Sequence, residues 1–556
     1  MPFFCPKIER NISLSTFCYT DGMRFLGRSI AWIKTNWLYT VLLLFLCSIY
    51  VVLRLVSIRN LPMFVDEAIY VRWAQAGLHN PDLRLTSLSD GKQPLFIWLV
   101  TFAMGYIPNP ITAGRLVSIF TGFLTGVGLF LLAYELFKNK WVSILTVTFF
   151  ACLPFSLAFN RMALYESTSG MFLVWSLLLG ILLTKNLQLH YSLTLALFLG
   201  GGILTKTTGF LSIYLLPVLL FLLPISKSNR ISRLFTWTSL VVVAIGASLL
   251  YYSVLHLSSQ FYQVNEKNAI FVYHIEELIQ YDAFLNWIPH LATLANWIML
   301  YTSIPTAIFF IASLFFLTSQ WKQKMILLLW FIIPFIGYGL FGRQLNARYL
   351  YPIFLPLLPL FSANILDAYK HTKIKKLIIL PIFICIFSMF FVDYRIVFSL
   401  ASSPIPKEDL SQYINGPSAG GGIKQSVAYL SQKAQEGPIY IATEGIYGSL
   451  PTTAMELYFL DYPSVQKSGF EVSGRVPKLL AEKTHEMPVY IVFNQTQNPP
   501  NWPMGKISEY KKGISDSYLR LYRLQKIPLS LCKSYLQKDA KTYVDECEYP
   551  SISSSK

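Results

Sequence analysis

Charged residues are scarce in this sequence. Asp, Glu, Lys and Arg make up 13% of its 556 residues, whereas 54% are apolar, and an ordinary soluble domain carries about 25% charged residues. The mean hydropathy is +0.47. Apolar runs such as 41–56 and 235–252 have about the length that a bilayer core requires. The composition excludes a soluble globular protein and predicts a polytopic α-helical membrane protein.

Cysteine is scarce as well. The seven cysteines form no CxxC motif and no zinc-type cluster. Cys47, Cys152 and Cys385 fall in apolar runs, where a buried thiol acts as a small apolar residue. Cys532 and Cys547 lie near the C-terminus. Their spacing leaves open whether they form a disulfide, because spacing alone does not fix the distance between them.

Acidic residues are fewer than basic ones, 29 against 46, which gives a net charge of +17. The basic residues cluster between predicted membrane spans, and that distribution favours the positive-inside rule over nucleic-acid binding. We predict about eleven spans, near 37–57, 115–136, 141–159, 167–184, 190–205, 208–225, 234–255, 293–317, 325–342, 349–367 and 377–398. The segments between them that we place in the cytoplasm carry Arg24, Arg28, Lys34, Lys138, Lys140, Lys185, Lys227, Arg230, Arg233, Lys322, Lys324, Lys370, Lys373, Lys375 and Lys376.

A cleavable signal peptide is not recognisable. A polar, partly basic stretch of more than 30 residues precedes the first apolar run, and no small-residue cleavage site follows that run. We therefore predict a cytoplasmic N-terminal segment at 1–36 and a transmembrane domain at 37–398. The chain is predicted to be an integral protein of the cell or plasma membrane, and the bilayer is its first partner.

The same topology places the remaining polar segments outside the cytoplasm. These are 58–114, 160–166, the break at Lys206, 256–292, 343–348 and everything after about 400. The apolar stretch 93–107 is too short to span a bilayer, and Pro94 and Pro108 bracket it. We predict a helix in the outer interface there, with Trp98 and Tyr106 at the headgroup depth that aromatic residues prefer.

The C-terminal part has a different composition. Residues 399–425 contain three consecutive glycines and several prolines, which is typical of a linker. Beyond them, helical spacing at 424–434 and 476–483 alternates with strand-like runs at 438–442, 488–493, 507–512 and 518–524. This alternation predicts a small extracytoplasmic α/β domain over 426–556, with a disordered tail at 551–556.

Ionisable residues interrupt the apolar sequence at a few points that the topology places on one membrane face. Such residues are costly to place there and are usually kept for function. They are Asp66 and Glu67 in Phe-Val-Asp-Glu-Ala, Lys92 in Lys-Gln-Pro-Leu, Arg161 and Glu166 between two spans, Lys206, and Arg348. A carboxylate can act as the general base on an acceptor hydroxyl, and cations stabilise a departing phosphate. The set therefore favours glycosyl transfer from a lipid-phosphate sugar.

These short motifs, together with Gly114-Arg115-Leu116, Gly202-Ile203-Leu204-Thr205-Lys206 and Arg348-Tyr349-Leu350-Tyr351-Pro352, resemble one known family. It is the family 39-type group of the glycosyltransferase C fold, which includes the protein O-mannosyltransferases and the lipid A aminoarabinose transferases. The resemblance covers roughly residues 35–370. It implies an inverting transferase that uses a polyprenyl-phosphate monosaccharide, with the active site in the outer loop 58–114.

The resemblance also implies roles for individual residues. Asp66 matches the catalytic aspartate, and Glu67 is its acidic neighbour. Lys92, Lys206 and Arg348 are expected to hold the donor phosphate. Glu166, which stands where the family commonly has Asp, is expected with Arg161 and His256 to bind the acceptor or a metal. No cofactor is required by the sequence, and a divalent metal remains an open alternative.

Each of these residues also has a structural explanation. Asp66 and Glu67 suit the N-terminus of a helix, Lys92 and Lys206 suit anchoring at the interface, and Arg161 with Glu166 suits a pair that closes a span. The alternative functions are a secondary transporter or lipid flippase, a membrane scaffold, and an oligosaccharide ligase with a diphosphate-lipid donor. No internal repeat of the kind that transporter halves show is visible. The acceptor, whether lipid, glycan or protein, and the sugar are left open.

Overall fold

The computed structural model describes residues 37–224, 229–280, 283–316, 319–445, 448–537 and 542–548. The predicted N-terminal segment 1–36 with Arg24, Arg28 and Lys34, the basic residue Lys227 and the tail 551–556 lie outside the described residues.

The part up to residue 398 is helical. Its helices are α1 Trp37–Leu55, α2 Val65–His79, α3 Leu95–Met104, α4 Pro110–Phe137, α5 Lys140–Cys152, α6 Pro154–Asn160, α7 Tyr165–Asn186, α8 Leu189–Thr205, α9 Phe210–Tyr214, α10 Arg230–Tyr252, α11 Gln263–Phe271, α12 Ile275–Gln280, α13 Ala283–Thr302, α14 Ile304–Ser313, α15 Trp321–Phe341, α16 Leu350–Phe354, α17 Leu357–His371 and α18 Lys376–Phe398. Short 3-10 turns join several of them, among them Pro81–Asp90, Thr207–Gly209, Leu216–Leu222 and Ala347–Tyr349.

All eleven predicted spans coincide with apolar helices, although their number as spans stays a prediction. Within the described ranges, six helical stretches are long and apolar enough to cross a membrane, and the number rises to nine if each of three bent helix pairs is one span. The predicted spans 190–205 and 208–225 correspond to the shorter apolar stretches Leu189–Thr205 and Thr207–Leu222. The predicted interfacial helix is α3, only ten residues long.

The region predicted as one span over 293–317 is sharply bent. Its two helical stretches, Leu285–Thr302 and Ile304–Phe316, meet at an angle of 109°. Ser303 adopts a positive φ of 70°, and the next residue but one is Pro305, which has no N–H for a continuous helix. The Ser303 hydroxyl lies 2.8 Å from that of Ser388 in α18, so the bend is fixed against a neighbouring helix.

The C-terminal domain is a small α/β fold, as predicted. Its elements are α19 Lys407–Leu410, α20 Ile423–Glu436, β1 Ile439–Glu444, α21 Leu450–Tyr458, β2 Val465–Phe470, β3 Val476–Pro477, α22 Lys478–Glu486, β4 Val489–Phe493, β5 Met504–Lys511, β6 Tyr518–Leu524, β7 Cys532–Gln537 and β8 Thr542–Cys547. The five-stranded sheet has the order β2-β1-β4-β6-β5, in which β2, β1 and β4 are parallel. The sequence did not predict α21, β2 or the β7–β8 hairpin.

The hairpin settles the question of the two C-terminal cysteines. Cys532 and Cys547 are directly opposite each other on β7 and β8, and they form a disulfide. The bond joins the adjacent strands β7 and β8 of the smaller sheet, whose order is β3-β8-β7.

The stretch 399–425, predicted as a linker from its prolines and glycines, is packed against the membrane helices. Ile405, Tyr413 and Ile414 are buried, and they belong to one continuous apolar core that runs from the membrane helices into the C-terminal domain. Burial of these apolar side chains outweighs the loop-forming tendency of the prolines and glycines around them. The two parts of the chain therefore share a core.

One buried carboxyl in this stretch makes stability depend on pH. Asp409 accepts a hydrogen bond of 2.5 Å from the Tyr301 hydroxyl of α13, and burial raises the pKa of Asp409 to about 6. An unfolded aspartate titrates near 3.9. The folded state thus binds more protons between about pH 4 and pH 6, and the stabilising contribution of the neutral carboxyl is lost as the pH rises through 6.

We expect Asp409→Asn to increase the free energy of unfolding at pH 7.5 by up to about 3 kcal/mol, because the amide is neutral at every pH. The increase should appear as a higher thermal unfolding temperature in detergent. At pH 4.5 Asp409 is neutral in the folded protein but mostly ionised in the unfolded one, so the difference between the two proteins should shrink to about 1 kcal/mol. Asp516→Asn is the control, since the Asp516 side chain is 97% exposed. A stabilisation of equal size at both pH values would contradict this origin.

Candidate functional site

The helix that carries Asp66 begins at a defined point. Phe64 is the N-cap of α2, with extended backbone angles, and Asp66 and Glu67 occupy the first turn. Acidic side chains are favoured there by the exposed N–H groups of the helix end. The two neighbouring acids nevertheless point to different partners, and they have different environments.

Glu67 is fully occupied by structural contacts. Its carboxylate receives two hydrogen bonds of 2.9 Å from Arg115, one of 2.8 Å from the backbone N–H of Ala163 and one of 3.0 Å from that of Phe64. The Glu67 side chain is fully buried. This arrangement fixes the start of α2, and each of the two Glu67 carboxylate oxygens already accepts two hydrogen bonds.

Arg115 extends the same lock to the loop before α2. Its guanidinium also donates to the carbonyl oxygens of Ile58, Leu61 and Pro62 at 2.7–3.0 Å. The preceding residue, Gly114, allows the close approach, since a Cβ at that position would lie 2.8 Å from the Cβ of Ala163. The Gly-Arg motif of the sequence thus has a structural purpose.

Four of the predicted site residues, which lie far apart in the sequence, form one network of ion pairs. They are Asp66, Glu166, Lys206 and Arg348. Arg348 donates to Asp66 at 2.7 Å, and its Nε lies 3.9 Å from Oε1 of Glu166. Lys206 donates to the same Oε1 of Glu166 at 2.8 Å. The hydroxyl of Tyr70, one turn after Asp66, donates to the Asp66 carboxylate at 3.3 Å.

Lys92 completes this site, which we call the Asp66 cluster (Asp66, Lys92, Glu166, Lys206 and Arg348). The Lys92 charge favours the ionised form of Asp66. The charges of Lys206 and Arg348 repel the Lys92 ammonium in turn. Its ammonium lies 5.3 Å from the ring of Phe271. Within the described part of the chain, no carboxylate comes within 4.0 Å of it. The cluster thus holds three cations and two carboxylates, a surplus of one positive charge.

The ring of Tyr349 lies next to two of the cations. The Lys206 ammonium lies 3.8 Å from the centre of the Tyr349 ring, and the Arg348 guanidinium lies 5.3 Å from it. The sequence analysis gave Tyr349 no role, although it directly follows Arg348. A cation over an aromatic face is stabilised without using its hydrogen-bond donors, which leaves those donors for an anion.

The ionisation states of Asp66 and Lys92 follow from this geometry. Burial raises the pKa of Asp66, but the charges of Arg348 and Lys92 outweigh it, so the pKa lies below the usual range for aspartate. Burial lowers the pKa of Lys92, and repulsion from Lys206 and Arg348 adds to this effect. Asp66 is therefore ionised at neutral pH, as a proton acceptor must be.

Uncharged side chains join the segments that carry Lys92 and Lys206. The Gln93 amide donates to the Thr207 hydroxyl at 2.7 Å, and the Tyr165 hydroxyl donates to the Gln93 carbonyl at 3.1 Å. Lys92, Glu166 and Lys206 each neighbour one of these three residues in sequence. The Gln of the Lys-Gln-Pro-Leu motif is a signal that the sequence analysis quoted but did not use.

Two predicted site residues lie apart from the Asp66 cluster. Arg161 donates to the Val56 carbonyl at 2.7 Å and, with Phe159, Tyr301 and others, lines a mainly apolar space. It does not pair with Glu166. The ring of His256 packs against Phe261 at 4.2 Å.

The structure offers no ready metal site in its described parts. No group of three or more His, Cys, Asp or Glu side chains is arranged there to hold a metal ion. Glu166, the proposed metal ligand, is instead paired with Lys206 and Arg348, and two cations beside a carboxylate oppose the binding of a third. The donor set does not fit a metal.

The segment 256–280 contributes Phe271 to the Lys92 side of the site. The backbone N–H of Tyr273 donates to the Phe341 carbonyl and that of Arg343 to the Phe271 carbonyl, both at 2.8 Å. The Arg343 side chain also binds the Glu277 carboxylate at 2.7 Å. These contacts hold Phe271 next to Lys92 and Tyr349.

Comparisons with known proteins agree with this fold. Residues 91–252, which include Lys92, Glu166 and Lys206, match the family described as dolichyl-phosphate-mannose-protein mannosyltransferase. No curated protein matches the chain significantly in sequence. Asp66 and Arg348 lie outside the matched residues.

Among solved structures, the chain is similar to ArnT from Cupriavidus metallidurans. In the apo state the TM-score is 0.54, and in the structure bound to undecaprenyl phosphate it is 0.52; both have 12% identity and cover 88% of this chain and 98% of that one. The archaeal oligosaccharyltransferase AglB from Archaeoglobus fulgidus, in complex with an inhibitory peptide and a dolichol-phosphate, has a TM-score of 0.49 and 12% identity, with coverage of 83% of this chain and 70% of that one.

The resemblance inferred from the short motifs is thereby confirmed. The chain has the glycosyltransferase C fold of a membrane protein and resembles the protein mannosyltransferase type. At 12% identity the solved structures establish the fold alone, so the chemistry depends on the residues of the Asp66 cluster.

Proposed function

We propose that this glycosyltransferase C-fold protein transfers a monosaccharide from a polyprenyl-phosphate donor to an acceptor hydroxyl, with inversion at the anomeric carbon. The observation that carries the proposal is the surplus of one positive charge in the Asp66 cluster. A sugar phosphodiester has one negative charge, which that surplus matches. The family match at 91–252 supports a transferase.

The reaction would be a single displacement. An oxygen of Asp66 takes the proton of the acceptor hydroxyl as the hydroxyl oxygen attacks the anomeric carbon. The bond from that carbon to the phosphate oxygen breaks, and its electron pair leaves with the lipid phosphate. Lys92, Lys206 and Arg348 would bind the departing phosphate, whose charge grows in the transition state. Glu67, locked by Arg115, would position the helix that carries Asp66.

The ion pairs have a consequence for the order of events. Arg348 holds the Asp66 carboxylate at 2.7 Å and weakens it as a base. The phosphate of the sugar donor would compete for the Arg348 guanidinium. Asp66 would then lose hydrogen bonds from Arg348, and its basicity would rise. Binding of the donor would thus prepare the base for the acceptor.

The proposal is tested by supplying purified protein with matched donors. A polyprenyl-phosphate sugar should support transfer, and the same sugar on a polyprenyl diphosphate should not. Activity with the diphosphate donor alone would favour the oligosaccharide ligase instead. Mass spectrometry of glycans and lipids from a deletion strain would identify the missing sugar and its acceptor.

We further propose that the Asp66 cluster and the C-terminal domain face the non-cytoplasmic side. The basic residues between the spans support this orientation. The disulfide between Cys532 and Cys547 supports it as well, since disulfides persist in oxidising compartments.

Single cysteines in a cysteine-free version should report this topology. Cysteines at Ser89, Gln260 and Glu471, which are exposed, should react with a membrane-impermeant maleimide in intact cells. One at Gln188, an exposed position in a predicted cytoplasmic loop, should react only after permeabilisation. Labelling of Ser89 and Gln188 from the same side would mean that α3 spans the membrane, and the shared outer face would be lost.

A further inference from the structure

The helix that carries Asp66 is held between two parts of the chain. On one side, α2 packs against the membrane-domain helices α3 and α4. On the other, it packs against α21 of the C-terminal domain. The Gln75 amide donates to the Leu457 carbonyl at 3.1 Å, and Arg72 lies 3.6 Å from the Glu456 carboxylate. The C-terminal domain therefore touches the helix of the proposed base directly.

A second contact lies just before Asp66. Met63 forms an antiparallel β-bridge with Gly420, from the segment that leads into the C-terminal domain. A Cβ at Gly420 would clash with the Met63 carbonyl oxygen, which is backbone and cannot rotate away. The glycine thus sets the closest distance between this segment and the start of α2.

A third contact, between Tyr413 and Phe64, lies beside the ion pair of Asp66 and Arg348. The ring of Tyr413 meets the ring of Phe64 edge-on at 4.7 Å, and the Arg348 guanidinium lies 5.7 Å from the Phe64 ring. Phe64 is two residues before Asp66. It lies against both Tyr413 and Arg348, so its placement affects Asp66 and Arg348 together.

We propose that the C-terminal region positions the proposed base, with Gly420 and Tyr413 as the positioning residues. The proposal rests on the proposed function of Asp66. Met63 and Phe64 are too close to Asp66 in sequence for a displacement to be absorbed by a flexible loop. Lys92 and Lys206 are held by other elements, through Gln93 and Thr207. A displacement of α2 should therefore lower kcat more than it weakens donor binding.

The first test is Gly420→Ala in the full-length protein. The added methyl group should push Met63 away and lower kcat between about 10-fold and 100-fold, the scale of a small misplacement of a reacting group, with the KM for donor within about threefold. Gly474→Ala is the matched control, because a Cβ at Gly474 meets nothing within 4 Å. Turnover of Gly420→Ala equal to that control would overturn the proposal.

The second test addresses a general loss of folding. Tyr413→Leu removes the ring that packs on Phe64, whereas Tyr413→Phe keeps the ring and removes a hydroxyl that has no hydrogen-bond partner among the described residues. We expect Tyr413→Leu to lower kcat at least tenfold and Tyr413→Phe to recover most of it. Equal losses in both would overturn the role of the ring.

Asp66→Asn, measured alongside, separates the two proposals. If Asp66→Asn is inactive while Gly420→Ala and Tyr413→Leu turn over normally, the positioning role is wrong and the base remains. If Asp66→Asn is fully active, the proposed function itself fails. Hydrogen exchange over 63–70 should be faster in Gly420→Ala than in Gly474→Ala, and an unchanged exchange rate would also contradict the displacement of α2.

Discussion

Asp66→Asn should lower turnover by two or more orders of magnitude, the usual scale for loss of a general base, and leave folding and donor binding nearly intact. The amide cannot take a proton from the acceptor. It keeps the size of aspartate and can still accept the hydrogen bonds that Arg348 and Tyr70 donate to Asp66. The measurement is initial rate with a polyprenyl-phosphate sugar at saturating donor, normalised to the amount of folded protein.

The control for this variant is Asp82→Asn. Asp82 lies in the 3-10 turn Pro81–Asp90 between α2 and α3, is exposed, and forms no ion pair within the described residues. Its substitution should change turnover by less than twofold. If Asp66→Asn kept turnover within about threefold of wild type at equal protein level, Asp66 would not be the base, because the expected effect of losing a base is far larger.

The fold was largely predictable from the sequence because membrane insertion imposes a simple pattern. A span needs about 20 apolar residues, and the basic residues mark the loops between them. The bend at Ser303 was not predictable from hydropathy, since both arms are apolar and the break depends on a positive φ and a contact with Ser388. Likewise, burial of Tyr413 depends on partners far away in the sequence.

The charged residues of the candidate site could be picked out from the sequence, whereas their partners could not. Asp66, Glu166, Lys206 and Arg348 interrupt apolar sequence, and the structure joins them in one network. Adjacent acids in a sequence give no sign of which is free. Only the structure shows that Arg115 occupies Glu67. Arg161 was predicted to act together with Glu166. It instead donates a hydrogen bond to the Val56 carbonyl, just after the end of α1.

Lys92→Ala should weaken use of the lipid-phosphate donor by at least tenfold in kcat/KM. Lys92 is the cation of the cluster whose ammonium has no carboxylate within 4.0 Å in the described structure, and Lys206 and Arg348 are each already paired. It can therefore bind a donor phosphate without breaking an existing ion pair. A charge-assisted bond to a buried phosphate contributes about 1.5–3 kcal/mol, which corresponds to roughly 10-fold to 150-fold in affinity.

The conservative variant sharpens this expectation. Lys92→Arg keeps the charge but replaces a compact ammonium by a planar guanidinium, so it should retain part of the activity, between wild type and the alanine variant. Lys511→Ala is the matched lysine control, since the Lys511 side chain is half exposed in the C-terminal domain. Donor titrations at fixed acceptor give KM and kcat for each protein. If Lys92→Ala and Lys511→Ala gave the same donor dependence, Lys92 would serve only to anchor the segment at the interface, and the surplus charge could not be the basis of donor binding.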